Sequence, residues 1–134
     1  MIFPRIPLFM TFALLFTAHS AFAFDLSGPW AVDASSCQSV FGTTKNGALF
    51  IKSDSDSYGG GFIVQGKKIV GKIAKCSILR ETQEKDVVRV VAACSTDVAL
   101  ANVQFAFRIH DNNKITRLYP GMEDLNVDYE RCAF

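Results

Sequence analysis

The chain is poor in the residues that most chemistry needs. Of its two histidines, His19 lies in an apolar N-terminal stretch, which leaves His110 as the single imidazole of the folded part. No Gly-x-Ser-x-Gly elbow surrounds a serine, so a histidine-activated nucleophile has no recognisable setting. The spacing favoured by structural zinc, Cys-x-x-Cys, does not occur among Cys37, Cys76, Cys94 and Cys132. A dominant charge is missing too: 14 basic residues face 13 acidic ones, with the signs scattered along the chain. That balance supplies neither the basic stripe of a nucleic-acid binder nor a polybasic membrane patch. Long helical periodicity, internal repeats and low-complexity linkers are absent as well.

One long hydrophobic run is present, at the N-terminus. Arg5 gives a small positive region, Ile6–Phe16 is almost wholly apolar, and Ala21-Phe22-Ala23 matches the small-x-small pattern of a signal-peptidase site. Pro7 interrupts the run and His19-Ser20 ends it, short of the about 20 apolar residues a spanning helix needs. The expectation is a signal peptide over residues 1–23, one domain over residues 24–134, and no membrane span after cleavage; the alternative is a retained anchor. No cysteine closely follows the cleavage site, which argues against a lipid anchor. Arg5 is the leader's one charged residue, so basic and acidic residues balance in what remains.

All four cysteines fall after the leader. An even count in an exported chain implies two disulfides, with three possible connectivities. Two apolar-rich arms, Ile73–Leu79 and Val87–Ala93, flank the charged patch Glu81–Asp86. An antiparallel hairpin turning near Glu84-Lys85 sets Cys76 and Cys94 opposite each other, within disulfide reach. Cys76–Cys94 is therefore the favoured bridge, and Cys37–Cys132 the remaining one.

Period-two alternation governs most of the domain. Strands are expected at Trp30–Val32, Ala48–Lys52, Phe62–Gln65, Lys68–Leu79 (with a bulge or bend at Gly71), Asp86–Cys94, Asn102–His110, Ile115–Tyr119 and Asp124–Cys132. Asn102–His110 alternates most cleanly, with Val103, Phe105, Phe107 and Ile109 on one face. Leu125, Val127 and Tyr129 are expected to point inward on the last strand. Asp33–Ser36 offers caps for a short helical turn over Cys37–Phe41, with Val40 and Phe41 inward. The fold class is all-β: an antiparallel seven- to eight-stranded barrel with one short helical turn and two disulfides. Alternating connections put 34–47, 66–67, 95–101 and 120–124 at one mouth and 53–61, 81–85 and 111–114 at the other. Cys132 then lies at the end opposite Cys37, so either the helical turn folds back along the barrel or the topology is not a simple meander.

Gly28-Pro29-Trp30 at the first strand, the strand count and a C-terminal cysteine tied back towards the N-terminal part resemble the lipocalin or calycin group, here as a small exported bacterial β-barrel protein. The resemblance covers the domain in outline and rests on a three-residue motif. It implies a barrel whose interior binds a small apolar ligand. The chain departs from the group in its short length, in lacking a long C-terminal helix, and in a helical turn that follows Gly-x-Trp.

Residue by residue, no catalytic, cofactor or metal site is expected. His110 lies on the polar face of its strand. Asp54-Ser-Asp-Ser-Tyr-Gly59 approaches a calcium loop, but Tyr58 stands where a third ligand belongs. Glu123-Asp124 and the Glu84/Asp86 pair sit in polar turns, where carboxylates are solvated. Trp30, Phe41, Phe105, Phe107 and Tyr119 are read first as filling the core, because an eight-stranded barrel has little spare interior; the alternative is an interior cavity, with Trp30, Phe105, Phe107 and Tyr119 as its candidate lining. Tyr58 and Met122 are candidate contact residues on loops, the latter in the rigid turn Tyr119–Met122. The expected product is a monomeric periplasmic or secreted binding protein. Its partner is a small apolar ligand or, alternatively, a protein or enzyme recognised through its loops.

Overall fold

A computed structural model describes residue 1 and residues 23–134 of the chain. The leader expected over 1–23 lies outside the described residues except at its two ends. Among the described residues ten strands form: β1 (Gly28–Ala31), β2 (Phe41–Thr43), β3 (Leu49–Ile51), β4 (Gly61–Gln65), β5 (Lys68–Val70), β6 (Lys75–Glu84), β7 (Val87–Ser95), β8 (Leu100–Asp111), β9 (Lys114–Leu118) and β10 (Val127–Arg131). Eight of them close an antiparallel barrel in the order β1-β10-β9-β8-β7-β6-β5-β4, while β2 and β3 pair only with each other. Among the described residues no helix is long and apolar enough to cross a membrane.

Alternation builds the barrel wall. On β7, Val88, Val90, Ala92 and Cys94 turn inward and are buried. They meet Phe107, Phe105, Val103 and Ala101 of β8 in direct register. Burying one face of each strand fixes that register, since a slip of one residue would turn every apolar group outward. On the other side of β7, Cys76 pairs directly with Cys94 and the two are bridged, with a Cα–Cα distance of 4.0 Å. The hairpin turns at Lys85-Asp86, half a position past the midpoint between the two cysteines. A bulge between Ile78 and Arg80 absorbs the extra residue.

Two expected strands prove different. Lys68–Leu79 is not continuous: the Gly71 amide donates to the Ala74 carbonyl at 2.8 Å, and this turn separates β5 from β6. The strand expected over Ala48–Lys52 forms as β3 but leaves the barrel to pair with β2. The two changes offset each other, so the barrel still has eight strands. They also reassign the loops. Residues 32–60, 71–74, 96–99 and 119–126 stand at one end, and 66–67, 85–86 and 112–113 at the other. The last strand begins only at Val127, and Leu125 lies exposed in a short 3-10 turn over Glu123–Leu125 rather than pointing inward.

The excursion between β1 and β4 folds back over the outside of the barrel. The Asp33 carboxylate accepts from the Ser35 amide at 2.7 Å and starts a 3-10 turn that runs into α1 (Cys37–Val40). Val40 and Phe41 are buried against the outer face of Ala31 and Ile63, beside the Cys37–Cys132 bridge. Phe41 opens β2 rather than extending the helical turn. Gly61 is required beneath this layer: a Cβ there would lie 2.3 Å from the Trp30 carbonyl oxygen and 2.8 Å from the Phe41 ring. The position of Cys37 relative to Cys132 is thereby accounted for, since the helical turn descends along the barrel wall.

Candidate functional site: a barrel closed at one end and open at the other

The N-terminal segment closes one end. Trp30 is fully buried, and its indole N–H donates to the Leu26 carbonyl at 2.8 Å. The Arg131 guanidinium lies 4.2 Å from the Trp30 ring centroid. It donates to the carbonyls of Asp25 (2.8 Å), Asn112 (2.8 Å) and Ser27. Burial lowers the pKa of Arg131, and the Asp25 carboxylate opposes that shift; an arginine in this setting stays charged. Hydrogen bonds from the Ser27 amide and hydroxyl hold the Asp25 carboxyl below its ordinary range, and Arg131 adds to the effect. Glu81 shows the reverse: burial raises its pKa, and the Asp25 charge pushes it further.

Above this plug the interior is not filled. A cavity of about 380 Å³ runs towards the opposite end, within the roughly 300–1,000 Å³ typical of small-molecule pockets. Its apolar wall is formed by Phe62, Ile69, Val103, Phe105 and Phe107, together with the Cys76–Cys94 bridge. Gly71, Ala74, Thr96 and Ala99, from the 71–74 and 96–99 loops, flank its mouth. Small side chains there leave the entrance open. The aromatic rings are mutually ordered: Phe62 meets Tyr129 edge-on at 5.0 Å and stacks on Phe107 at 5.8 Å.

Apart from Thr96 at the mouth, two polar side chains interrupt the apolar lining, Arg117 of β9 and Tyr129 of β10. The Arg117 guanidinium lies 4.8 Å from the centroid of the Phe105 ring and 4.7 Å from that of the Tyr119 ring. Burial raises the Tyr129 pKa, and Arg117 partly opposes the rise through its charge and through a hydrogen bond donated to the phenolic oxygen. The Tyr129 hydroxyl is therefore protonated at neutral pH and available as a donor.

Of the residues expected to line a cavity, Phe105 and Phe107 do so, and Trp30 and Tyr119 do not. Trp30 belongs to the plug at the closed end, while Tyr119 touches Arg117 from just beyond the last residue of β9. Phe41 packs on the outer wall. Tyr58 and Met122 are 46% and 56% exposed, on loops at the open end. Asp56, next to Tyr58, forms an ion pair with Lys72 of the mouth loop. Arg117 was not singled out from the sequence, although a signal exists: it shares a strand face with the fully buried Ile115 two residues earlier.

His110 occupies a bulge position on β8, where its Nε2 lies 2.6 Å from the Thr116 hydroxyl. That hydroxyl donates its one proton to Asp128 at 2.5 Å, so His110 faces it as the donor. A nucleophile activated by histidine needs the opposite arrangement. Among the described residues, no group of three or more His, Cys, Asp or Glu side chains is placed to hold a metal ion.

These features define the class: an eight-stranded antiparallel barrel, bridged twice, closed at one end and holding an open apolar cavity at the other. Comparison with protein-family models, with curated proteins and with solved structures finds no match.

Proposed function

We propose that this protein is an exported, non-catalytic, lipocalin-like carrier that holds a small apolar ligand inside its barrel. The cavity of about 380 Å³ with its aromatic walls supports this reading most directly, because a barrel this small ordinarily fills its interior with its own side chains. Two disulfides, with no free cysteine among the described residues, support an oxidising location such as the periplasm or the exterior.

The test is titration of the purified protein with a neutral solvatochromic dye. The carrier reading expects saturable brightening with one site per chain. Val103→Trp, which places an indole in the cavity, should abolish it while the fold persists by circular dichroism. A dye that never brightens overturns the reading.

A second reading has its own support. Tyr58 and Met122 are joined at the open end by Ile73 and Val98, which are 80% and 94% exposed. Such side chains suit a protein contact made through the loops, as in an enzyme inhibitor. Cross-linking that captures a partner, lost on Tyr58→Ala or Met122→Ala but kept in Val103→Trp, would favour this reading over the carrier.

A further inference from the structure

We infer that the ligand is an amphipathic anion, its apolar tail in the cavity and its single carboxylate or phosphate-monoester head held by Arg117 with Tyr129. This deepens the carrier reading and rests on it.

The observation that carries it is a cation without a counter-ion in an apolar wall. The ion pairs among the described residues are Lys72–Asp56, Arg108–Asp86 and Lys114–Asp128. Arg117 belongs to none of them, although it is half-buried and lines the cavity. Placing a charge against apolar surface is costly unless an opposite charge or hydrogen-bond acceptors compensate. The Phe105 and Tyr119 rings lie close to the guanidinium and the neutral Tyr129 hydroxyl accepts from it, so among the described residues its charge meets no carboxylate. A guanidinium edge matches the two oxygens of a carboxylate or phosphate in a bidentate bond. Tyr129 adds a protonated hydroxyl as a further donor on the neighbouring strand, so both groups offer hydrogens to one acceptor.

Position agrees with chemistry. Arg117 is the penultimate residue of β9 at the open end. A head bound there leaves the tail to run along Phe105, Phe107 and Phe62 towards the plug. A neutral apolar ligand would leave the guanidinium unpaired, and a cationic one would be repelled by it.

The experiment displaces a neutral solvatochromic dye with decanoate, decyl phosphate and decanol, which share one chain and differ in the head. We expect at least one anion to displace the dye about ten- to a hundredfold more effectively than decanol; the better of the two identifies the head. In Arg117→Gln the advantage should fall to within about twofold while the dye still binds, which also reports that the barrel is folded. Tyr129→Phe should reduce it by a smaller factor. Equal potency of the three ligands, or an advantage that survives Arg117→Gln, overturns the inference and leaves the carrier reading standing. A dye that never binds removes both.

Discussion

Trp30 and Arg131 sit directly opposite each other across the β1–β10 seam, and the Arg131 guanidinium lies 4.2 Å from the Trp30 ring centroid. The first and last strands of the barrel are joined by that stack as well as by their backbones. The same guanidinium gathers the carbonyls of residues 25, 27 and 112, so one side chain ties the N-terminal segment and the β8–β9 turn to β10 at the closed end.

Arg131→Ala should therefore cost about 2 kcal/mol, combining lost charge-assisted hydrogen bonds with a lost cation–π contact. Trp30 is the only tryptophan in the chain, so its emission reports the plug directly. Urea unfolding followed by fluorescence should show a lower midpoint and a red-shifted native spectrum. An unchanged midpoint and spectrum would show that the stack contributes nothing.

Gly61→Ala should destabilise the fold by about 1–3 kcal/mol, because the added methyl meets backbone and a packed ring that have little room to yield. Gly47→Ala is the control: nothing lies within 4 Å of its Cβ, and its cost is confined to a φ of +81°. Thermal unfolding should rank Gly61→Ala as the more damaging. The reverse order would mean that Phe41 does not press on β4.

The two bridges should differ in worth. Chain-entropy arithmetic gives about 4.7 kcal/mol for closing a loop of the length spanned by Cys37–Cys132 and about 3 kcal/mol for Cys76–Cys94, their separations being 95 and 18 residues. Paired Cys→Ser variants compared by denaturant titration should show the larger loss for the first. Equal losses would mean that the unfolded chain already holds its ends together.

Asp25 and Glu81 should shift the pH dependence of stability in opposite directions. The Asp25 pKa is lowered in the folded state, so its contribution is present above the ordinary carboxyl range and lost as pH falls through it. Asp25→Asn should be less stable than the parent at pH 7 and equal to it near pH 2. The Glu81 pKa is raised, so its contribution is full below the ordinary range and lost as pH rises. Glu81→Gln should match the parent near pH 2 and exceed it at pH 7. Unfolding curves at the two pH values decide both.

Legibility in the sequence followed the strength of the alternation. The Cys76–Cys94 hairpin and the Val103–Phe107 face could be read because one buried side imposes period two over many residues. The destination of Leu49-Phe50-Ile51 could not, because periodicity identifies a strand but not the strand it pairs with; only the tertiary fold sends β3 to β2. Gly71 was readable as a bend, but four residues of turn between β5 and β6 look in sequence like a bulged strand. Trp30 and Tyr119 are aromatic in the same way as Phe105, and only three-dimensional closure assigns one to the plug and the other to the outer side of Arg117. Arg117 is not legible because the short Ile115–Tyr119 segment does not show by itself which face is inward; only the burial of Ile115 places Arg117 on that side.

The seam between β1 and β10 has two registered pairs, Trp30↔Arg131 and Ala31↔Glu130, the fewest of any junction in the barrel. Were it to part, the barrel would become a curved open sheet with two unpaired edges, the form of β-structure most prone to add further chains. The Cys37–Cys132 bridge fastens the segment after β1 to the residue after β10. It thereby protects against polymerisation as well as unfolding. Under reducing conditions the chain should first lose its solubility at high concentration, while the long β7–β8 pairing is still intact.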